Sequence, residues 1–338
     1  MAKSEIILEI HPFSPLALEQ TKSLELFSED VATLTGGEIQ FRIAKSVRST
    51  KPFEKIENVS RGLIDASFGH THLLSDHYPS TILFGSPPTA NGVEFDNTTF
   101  FSWFYSAGGA KLYDDMWGEL NLNVKGFILQ SSGPHVLGWF RDPITSLQNF
   151  KGKRFRDSSD FSNDIHREMG ISIIPMKAAD ILPELEKQNL DAASWCCPRR
   201  DLTLGLQKSV KNYYLQGISK TILNADLYIN KKIYNQLTLQ QKKAIEIAAT
   251  ASVARHTSFL IYENGKALKE LVEDHDVRLN KTPNEYFKEY KNVATRFLED
   301  KAEKNDFFAK VWQSQKDFAI IGFPYWSETQ TSSKLFHD

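Results

Sequence analysis

Ile6-Ile7-Leu8-Glu9-Ile10 is a strand-like run and passes into His11-Pro12-Phe13-Ser14-Pro15, a loop whose Ser14 and Pro15 suit a helix N-cap and first helical residue. Leu24, Phe27, Val31 and Leu34 then recur at the spacing of one helix face, and Gly36-Gly37 ends the run. Ile39, Phe41 and Ile43 alternate with polar neighbours, which predicts a second strand. Strand, helix and strand in that order form the unit of a parallel sheet, so the pattern predicts an α/β chain.

A helix through Ile56–Arg61 leads into Gly62-Leu63-Ile64-Asp65-Ala66-Ser67-Phe68-Gly69-His70, and the later Leu190-Asp191-Ala192-Ala193-Ser194-Trp195-Cys196 echoes it. Each stretch has an apolar residue, Asp, Ala and a small residue in order. If one sheet topology is used twice, Phe68 to His70 and Ser194 to Cys196 sit at matching strand ends across a cleft, where open α/β sheets bind ligands. Chance similarity over so few positions is the plain alternative. The aromatic stretches from Phe100 to Tyr105 and Leu112 to Trp117 predict helices of a domain core. Val124 to Gln130 predicts a strand crossing into a second domain, with Ser131-Ser132-Gly133-Pro134-His135 ending at the cleft. Leu204 to Tyr214 is amphipathic, and Thr221 to Ile229 predicts a returning strand. A capping box at Thr238-Leu239-Gln240-Gln241 opens a helical pattern reaching about His275, and further helices follow from Asn284. Phe323-Pro324-Tyr325-Trp326 is expected to close against a domain surface.

Lys151-Gly152-Lys153-Arg154-Phe155-Arg156-Asp157 carries the candidate chemistry. It follows a turn at Asp142-Pro143 and precedes Ser158-Ser159-Asp160, which suit a helix cap, so a strand delivers Arg156 to a helix N-terminus. A guanidinium offers a carboxylate a planar fork, and helix-start N–H groups add partial positive charge. An Arg paired with a nearby Asp is the competing reading.

Asn149-Phe150-Lys151-Gly152-Lys153-Arg154-Phe155-Arg156, with Gly138-Trp139-Phe140 before it and Leu190-Asp191-Ala192-Ala193-Ser194-Trp195 after it, resembles the solute-binding proteins of TRAP (tripartite ATP-independent periplasmic) transporters, closest to those binding 2-oxo and 2-hydroxy acids. The resemblance implies a two-domain periplasmic-binding-protein-like fold with a central cleft, hinge strands and a long helix spanning both domains. It places domain I at 1–130 plus 217–256 and domain II at 131–216 plus 257–338. It also implies a periplasmic receptor that captures a small organic anion by domain closure and delivers it to TRAP-type permease subunits. A sensor module sharing that site, or an enzyme using a cysteine with His135, are the alternatives.

In that subgroup a Gln precedes Gly-Trp-Phe, an Arg on the strand grips the carboxylate, and a Glu-Trp pair follows Asp-Ala-x, with a metal beside the substrate. Here the matching positions are His135, Arg156 and Ser194-Trp195. A serine hydroxyl and an imidazole are poor ligands for a hard cation, so the expectation is a site with no metal and no other cofactor. Arg199, in Cys197-Pro198-Arg199-Arg200, is expected as a second cation, with solvent exposure as the alternative. His70, Phe13 and His11 are expected first-domain contacts.

Composition changes the picture little. The chain has 338 residues, 41% hydrophobic and 24% charged, with a formal charge of −2, which gives no electrostatic reason to expect nucleic acid as a partner. No Gly-rich phosphate loop, G-x-S-x-G elbow or H-E-x-x-H zinc motif occurs. Met1-Ala2-Lys3-Ser4 lacks an apolar signal segment; taken literally that predicts the cytoplasm, whereas the resemblance implies a signal peptide removed and a start Met added. Cys196 and Cys197, the only cysteines, read either as packed thiols, the ordinary case, or as a vicinal disulfide beside the ligand.

Overall fold

The computed structural model describes residues 5–45, 51–90, 92–157 and 160–334; the expected cap residues Ser158 and Ser159 and the start Met1-Ala2-Lys3-Ser4 lie outside the described residues. In chain order, β1 (Ile6–Pro12), α1 (Leu18–Leu34), β2 (Ile39–Ile43), α2 (Pro52–Arg61), β3 (Ala66–Gly69), α3 (Ile82–Gly85), α4 (Asn97–Ser106), α5 (Gly109–Glu119) and β4 (Val124–Ser132) come first. Next are β5 (Gly138–Phe140), β6 (Arg154–Arg156), α6 (Asp160–Glu168), β7 (Ser172–Ile173), α7 (Ala178–Glu186), β8 (Ala192–Ala193), α8 (Pro198–Leu204) and β9 (Asn212–Tyr214). The chain ends with β10 (Leu223–Asn230), α9 (Lys231–Gln236), α10 (Leu239–Glu273), β11 (Arg278–Asn280), α11 (Asn284–Lys304) and α12 (Asp306–Lys334).

Two sheets organise these elements, one ordered β2-β1-β3-β10-β4 and the other β11-β9-β5-β8-β6-β7. In the first, β1 is parallel to β2 and β3, while β10 runs antiparallel between β3 and β4. In the second, β6 is parallel to β8 and to β7. β4 leaves the first sheet for the second lobe and β10 returns from it, so two neighbouring strands carry both crossings.

Apolar periodicity explains the elements. Leu24, Phe27 and Val31 of α1 are fully buried against β1 and β2, although Leu34 is exposed on the last turn. α1 starts later than Ser14 and Pro15 suggest: Ala17 is the N-cap and its N–H is taken by Gln20 Oε1 at 3.2 Å. Ser14 to Ala17 are thereby left as cleft-lining loop. Gly62 ends α2 with φ +72°, a conformation that suits glycine. The amphipathic pattern of 204–214 divides between the end of α8, a left-handed Gly205 and β9.

α10 is 35 residues long and begins at the expected capping box, with Thr238 Oγ1 accepting from Gln241 N–H at 3.2 Å. Its Ile245, Ala248 and Ala249 pack into the core of the first sheet, whereas Leu271 joins the core beneath the second. One helix thus belongs to both lobes. The tail departs from the expected division at 256/257. α11 packs on α6 of the second lobe, but α12 packs on α3, α4 and α5, which lie on the first. Phe323 meets Phe95 edge-on and Trp326 Nε1 donates to Asp96 Oδ2 at 2.7 Å, so the last aromatic cluster closes on the first lobe. The largest apolar cluster accordingly draws Trp103 and Tyr113 together with Phe140 and Phe155.

Packing under the cleft is tight at Gly69, where an added Cβ would stand 2.2 Å from the Phe13 ring. Phe13 stacks on Tyr228 at 5.4 Å. Gly69→Ala must push that ring aside, and a urea titration is expected to show a loss of about 1–3 kcal/mol; unchanged stability contradicts this packing.

Candidate functional site

The carboxyl ends of parallel strands from both sheets converge on one cavity of about 520 Å³. β1 ends at Pro12, and Phe13 follows with its N–H on Phe68 O at 2.8 Å; β3 ends at Gly69 and hands over to His70. Across the gap, β6 ends at Arg156, and β8 runs out into Ser194, Trp195 and the two cysteines. Phe13, His70, His135, Arg156 and Trp195 all line this cavity. The internal echo thus joins segments that do face one cleft.

Arg156 is 9% exposed. Its Nη1 donates to Ser194 O at 2.7 Å, and its guanidinium carbon lies 5.2 Å from the centre of the Trp195 ring, a cation–π contact. The same strand supplies the competing case. Arg154 makes a two-pronged pair with Asp191, at 2.7 and 3.1 Å, and is the ion-paired arginine that charge pattern alone suggests for either position. Asp157 turns inward to His166 of α6, Oδ2 to Nδ1 3.0 Å, which fastens the strand end to that helix.

Ser194 contributes its backbone, because its hydroxyl donates inward to Val136 O at 3.2 Å. Arg199 is not among the lining residues. Pro198 starts α8 there, and successive residues on a helix point about a third of a turn apart. Arg199 therefore faces Glu19 at 3.1 Å and Glu263 at 3.8 Å, with its guanidinium over Phe259, while Arg200 reaches the cavity wall. His11 pairs with Glu9 at 3.0 Å, also outside the cavity.

Several cavity residues escaped the sequence reading: Arg200, Lys220, His72, His256 and Glu19. Lys220 sits between β9 and β10 in a segment without motif. For His256 a signal exists, since Ser252 and His256 interrupt the buried face of α10 that Ile245, Ala248, Ala249 and Val253 otherwise keep apolar.

Charge in the cavity is lopsided. Arg156, Arg200 and Lys220 line it, Lys220 being buried, against Glu19 as the one carboxylate among the described lining residues. Glu19 is itself held by Arg199 and Arg200. Four imidazoles stay neutral. Burial lowers His70 and His256 to about 4 and pulls His72 and His135 well below the ordinary 6.5, and the Lys220 charge adds to this at His70, His72 and His135. His70 Nδ1 faces Asn224 O at 2.9 Å. The cavity is a cationic pocket with neutral rings as hydrogen-bonding groups, suited to an anion.

A two-lobed α/β fold with an anion-attracting cavity between its lobes is that of a solute-binding protein. The chain matches the model of the bacterial extracellular solute-binding proteins, family 7, over residues 15–305, and it belongs to that family. It is 24% identical over 307 residues, 90% of this chain and 81% of the other, to a monocarboxylate 2-oxoacid-binding periplasmic protein of Nostoc sp.. Among solved structures it resembles a TRAP periplasmic solute-binding protein from Colwellia psychrerythraea with bound calcium and pyruvate, at a TM-score of 0.86 and 19% identity, covering 99% of this chain and 100% of that one. A second, from Bordetella bronchiseptica with calcium and picolinate in its site, gives 0.84 and 18%, covering 99% and 97%.

Calcium in those two neighbours raises the question of fit. Calcium takes six to eight oxygen ligands, carboxylates foremost. Here the described lining offers one carboxylate, held by two arginines, and Lys220 lies beside His135. No three His, Cys, Asp or Glu among the described residues come together as a metal set. The donors do not suit a hard cation.

The lowered imidazoles set the sign of a pH effect. The unfolded chain takes up protons below 6.5 at residues that stay neutral in the fold down to about 4, so their contribution to stability is lost as pH falls through that window. Asp201, raised by burial to about 6, acts in the opposite direction. His256→Gln is expected to flatten the fall of Tm between pH 6.5 and 4, removing a dependence worth up to about 3 kcal/mol; an unchanged slope in differential scanning fluorimetry overturns the assignment.

Proposed function

We propose that this protein captures a small organic anion outside the cytoplasm by closing its two lobes on it, and that it delivers the anion to a TRAP-type membrane permease. The observation that carries this reading is the Arg156 guanidinium, aimed by the Ser194 carbonyl and covered by Trp195, in a cavity walled by both sheets. A carboxylate accepts a forked pair of N–H bonds from such a group, and the pair strengthens as water leaves. The sulfonate of a comparable ligand carries the same charge. The likeness to a monocarboxylate 2-oxoacid-binding protein favours the carboxylate.

Lys220 and the neutral imidazoles supply the remaining contacts. In this reading the Lys220 ammonium provides a second positive charge beside Arg156, and the ligand binds without a metal. His135, as a neutral donor, takes the keto or hydroxyl oxygen of the ligand, whereas His70, whose Nδ1–H is used on Asn224 O, offers Nε2 as an acceptor to a ligand hydroxyl. Phe13 and Trp195 bracket its apolar part from opposite lobes. Ligand contacts to both lobes stabilise the closed form over the open one, and that difference alone shifts the equilibrium. Segments 130–135 and 217–223 are the proposed hinge, with the body of α10 as the rail alongside. A receptor of this kind returns its ligand chemically unchanged, in contrast to an enzyme.

Calorimetry on a panel of 2-oxo and 2-hydroxy acids tests this. Arg156→Ala is expected to weaken the tightest ligand by about thirty-fold to several thousand-fold, from the loss of about 2–5 kcal/mol. Wild-type affinity in that variant rejects the role. Lys220→Met is expected to weaken the same ligand by about ten-fold or more, from about 1.4 kcal/mol upward, and affinity is expected to be equal in calcium and in chelator. Binding that appears only with calcium overturns the metal-free site.

A further inference from the structure

Cys196 and Cys197 form part of the cavity wall, and anion capture as proposed uses neither thiol. Side chains of successive extended residues point to opposite sides. These two do not: their Sγ atoms lie 3.3 Å apart, both half-buried, and Cys196 Sγ is 3.8 Å from His135 Nε2. Their backbone is firmly held. Cys196 N–H donates to Asp201 Oδ1 at 3.0 Å, and Asp201 Oδ2 is fixed by Trp139 Nε1 at 2.8 Å and Tyr213 Oη at 2.9 Å. Asp201 N–H in turn donates to Cys197 O at 2.9 Å, closing the loop around the pair.

The sulfurs need to approach by a little over ~1 Å to reach the ~2.05 Å of a disulfide bond. Consecutive Cα atoms are ~3.8 Å apart, below the usual range for a disulfide, so the small ring is strained and readily reduced again. Such a bond suits reversible switching more than reinforcement. The extracellular setting of the family supplies a compartment in which disulfides form.

We propose that Cys196 and Cys197 are a modification site, a dithiol converted reversibly to a vicinal disulfide by exchange with a low-molecular-weight disulfide, and that the two redox states present different walls to the bound anion. Cys197 is the attacking sulfur, because the Cys196 S–H donates to it and holds its pKa down, while Cys196 is pushed up. The Cys197 thiolate attacks one sulfur of the small disulfide and expels the first thiolate. Cys196 then loses its proton, attacks Cys197 in the mixed disulfide and expels the second. The two protein thiols are oxidised to one disulfide, the small disulfide is reduced to two thiols, and the two cysteine protons end on those thiols. Oxidation removes the Cys196 thiol from His135 and withdraws both S–H groups beside Trp195.

The test is incubation of the reduced full chain with oxidised glutathione, followed by intact mass and iodoacetamide alkylation. The expected result is loss of two hydrogens, no retained glutathione, protection of both cysteines, and full reversal by dithiothreitol. Cys196→Ser is expected to keep one glutathione on Cys197 instead, whereas Cys197→Ser, which lacks the attacking sulfur, is expected to take up none under the same conditions. A wild-type chain that holds glutathione as a stable mixed disulfide, or whose cysteines stay alkylatable in excess oxidant, overturns the site. Pyruvate titrated into reduced and oxidised protein is expected to give Kd values differing by about three-fold or more, a difference of about 0.7 kcal/mol. Equal values overturn the coupling to the cleft. The mass readout needs no ligand, so failure of every organic acid to bind the reduced form sinks the proposed receptor function separately.

Discussion

The hydrogen bond from Arg156 Nη1 to the Ser194 carbonyl ties the end of β6 to the end of β8 and aims a buried guanidinium into the space between lobes. Its geometry depends on the parallel pairing of those strands, Phe155 with Ala192 and Arg156 with Ala193. That register follows from burial of Phe155 and both alanines, and a slip by one residue would turn Arg156 into the core. Trp195, one residue past the carbonyl, then covers the same guanidinium. A cation held in this way is ordered before any ligand arrives, which keeps low the entropy cost of pairing with a carboxylate.

Burial governs the rest of the cavity's electrostatics. Four imidazoles brought close to Arg200 and Lys220 cannot all carry charge, and desolvation keeps them neutral. The pocket therefore keeps its positive excess on arginine and lysine while its histidines act as hydrogen-bonding rings. The one described carboxylate in the lining, Glu19, is held by arginine charge in the same balance.

Parts of this site were legible in the residue order. Arg156, Trp195 and His135 stand at fixed spacings around Gly138-Trp139-Phe140, and the echo between Ala66-Ser67-Phe68-Gly69-His70 and Ala192-Ala193-Ser194-Trp195-Cys196 located both walls. Arg199 was misplaced because two adjacent arginines look alike in sequence, and only the start of α8 at Pro198 decides which one faces the cavity. Lys220 was missed because it lies in a connection whose path is set by strands on either side. The division that the resemblance implies puts both tail helices on one lobe, whereas α12 finds its apolar complement on α3, α4 and α5.

Periodicity and motif by themselves determined the α/β class, the strand that carries Arg156, the long capped helix and the family resemblance, since these depend on local spacing and backbone preference. That Arg200, Lys220, His72, His256 and Glu19 join the cavity, which side chains hold Glu19, and why the histidines are uncharged were decided by tertiary structure alone. Those properties arise from contacts and desolvation between segments far apart along the chain, such as His70 with Asn224 and Glu19 with Arg200, and residue spacing holds no record of them.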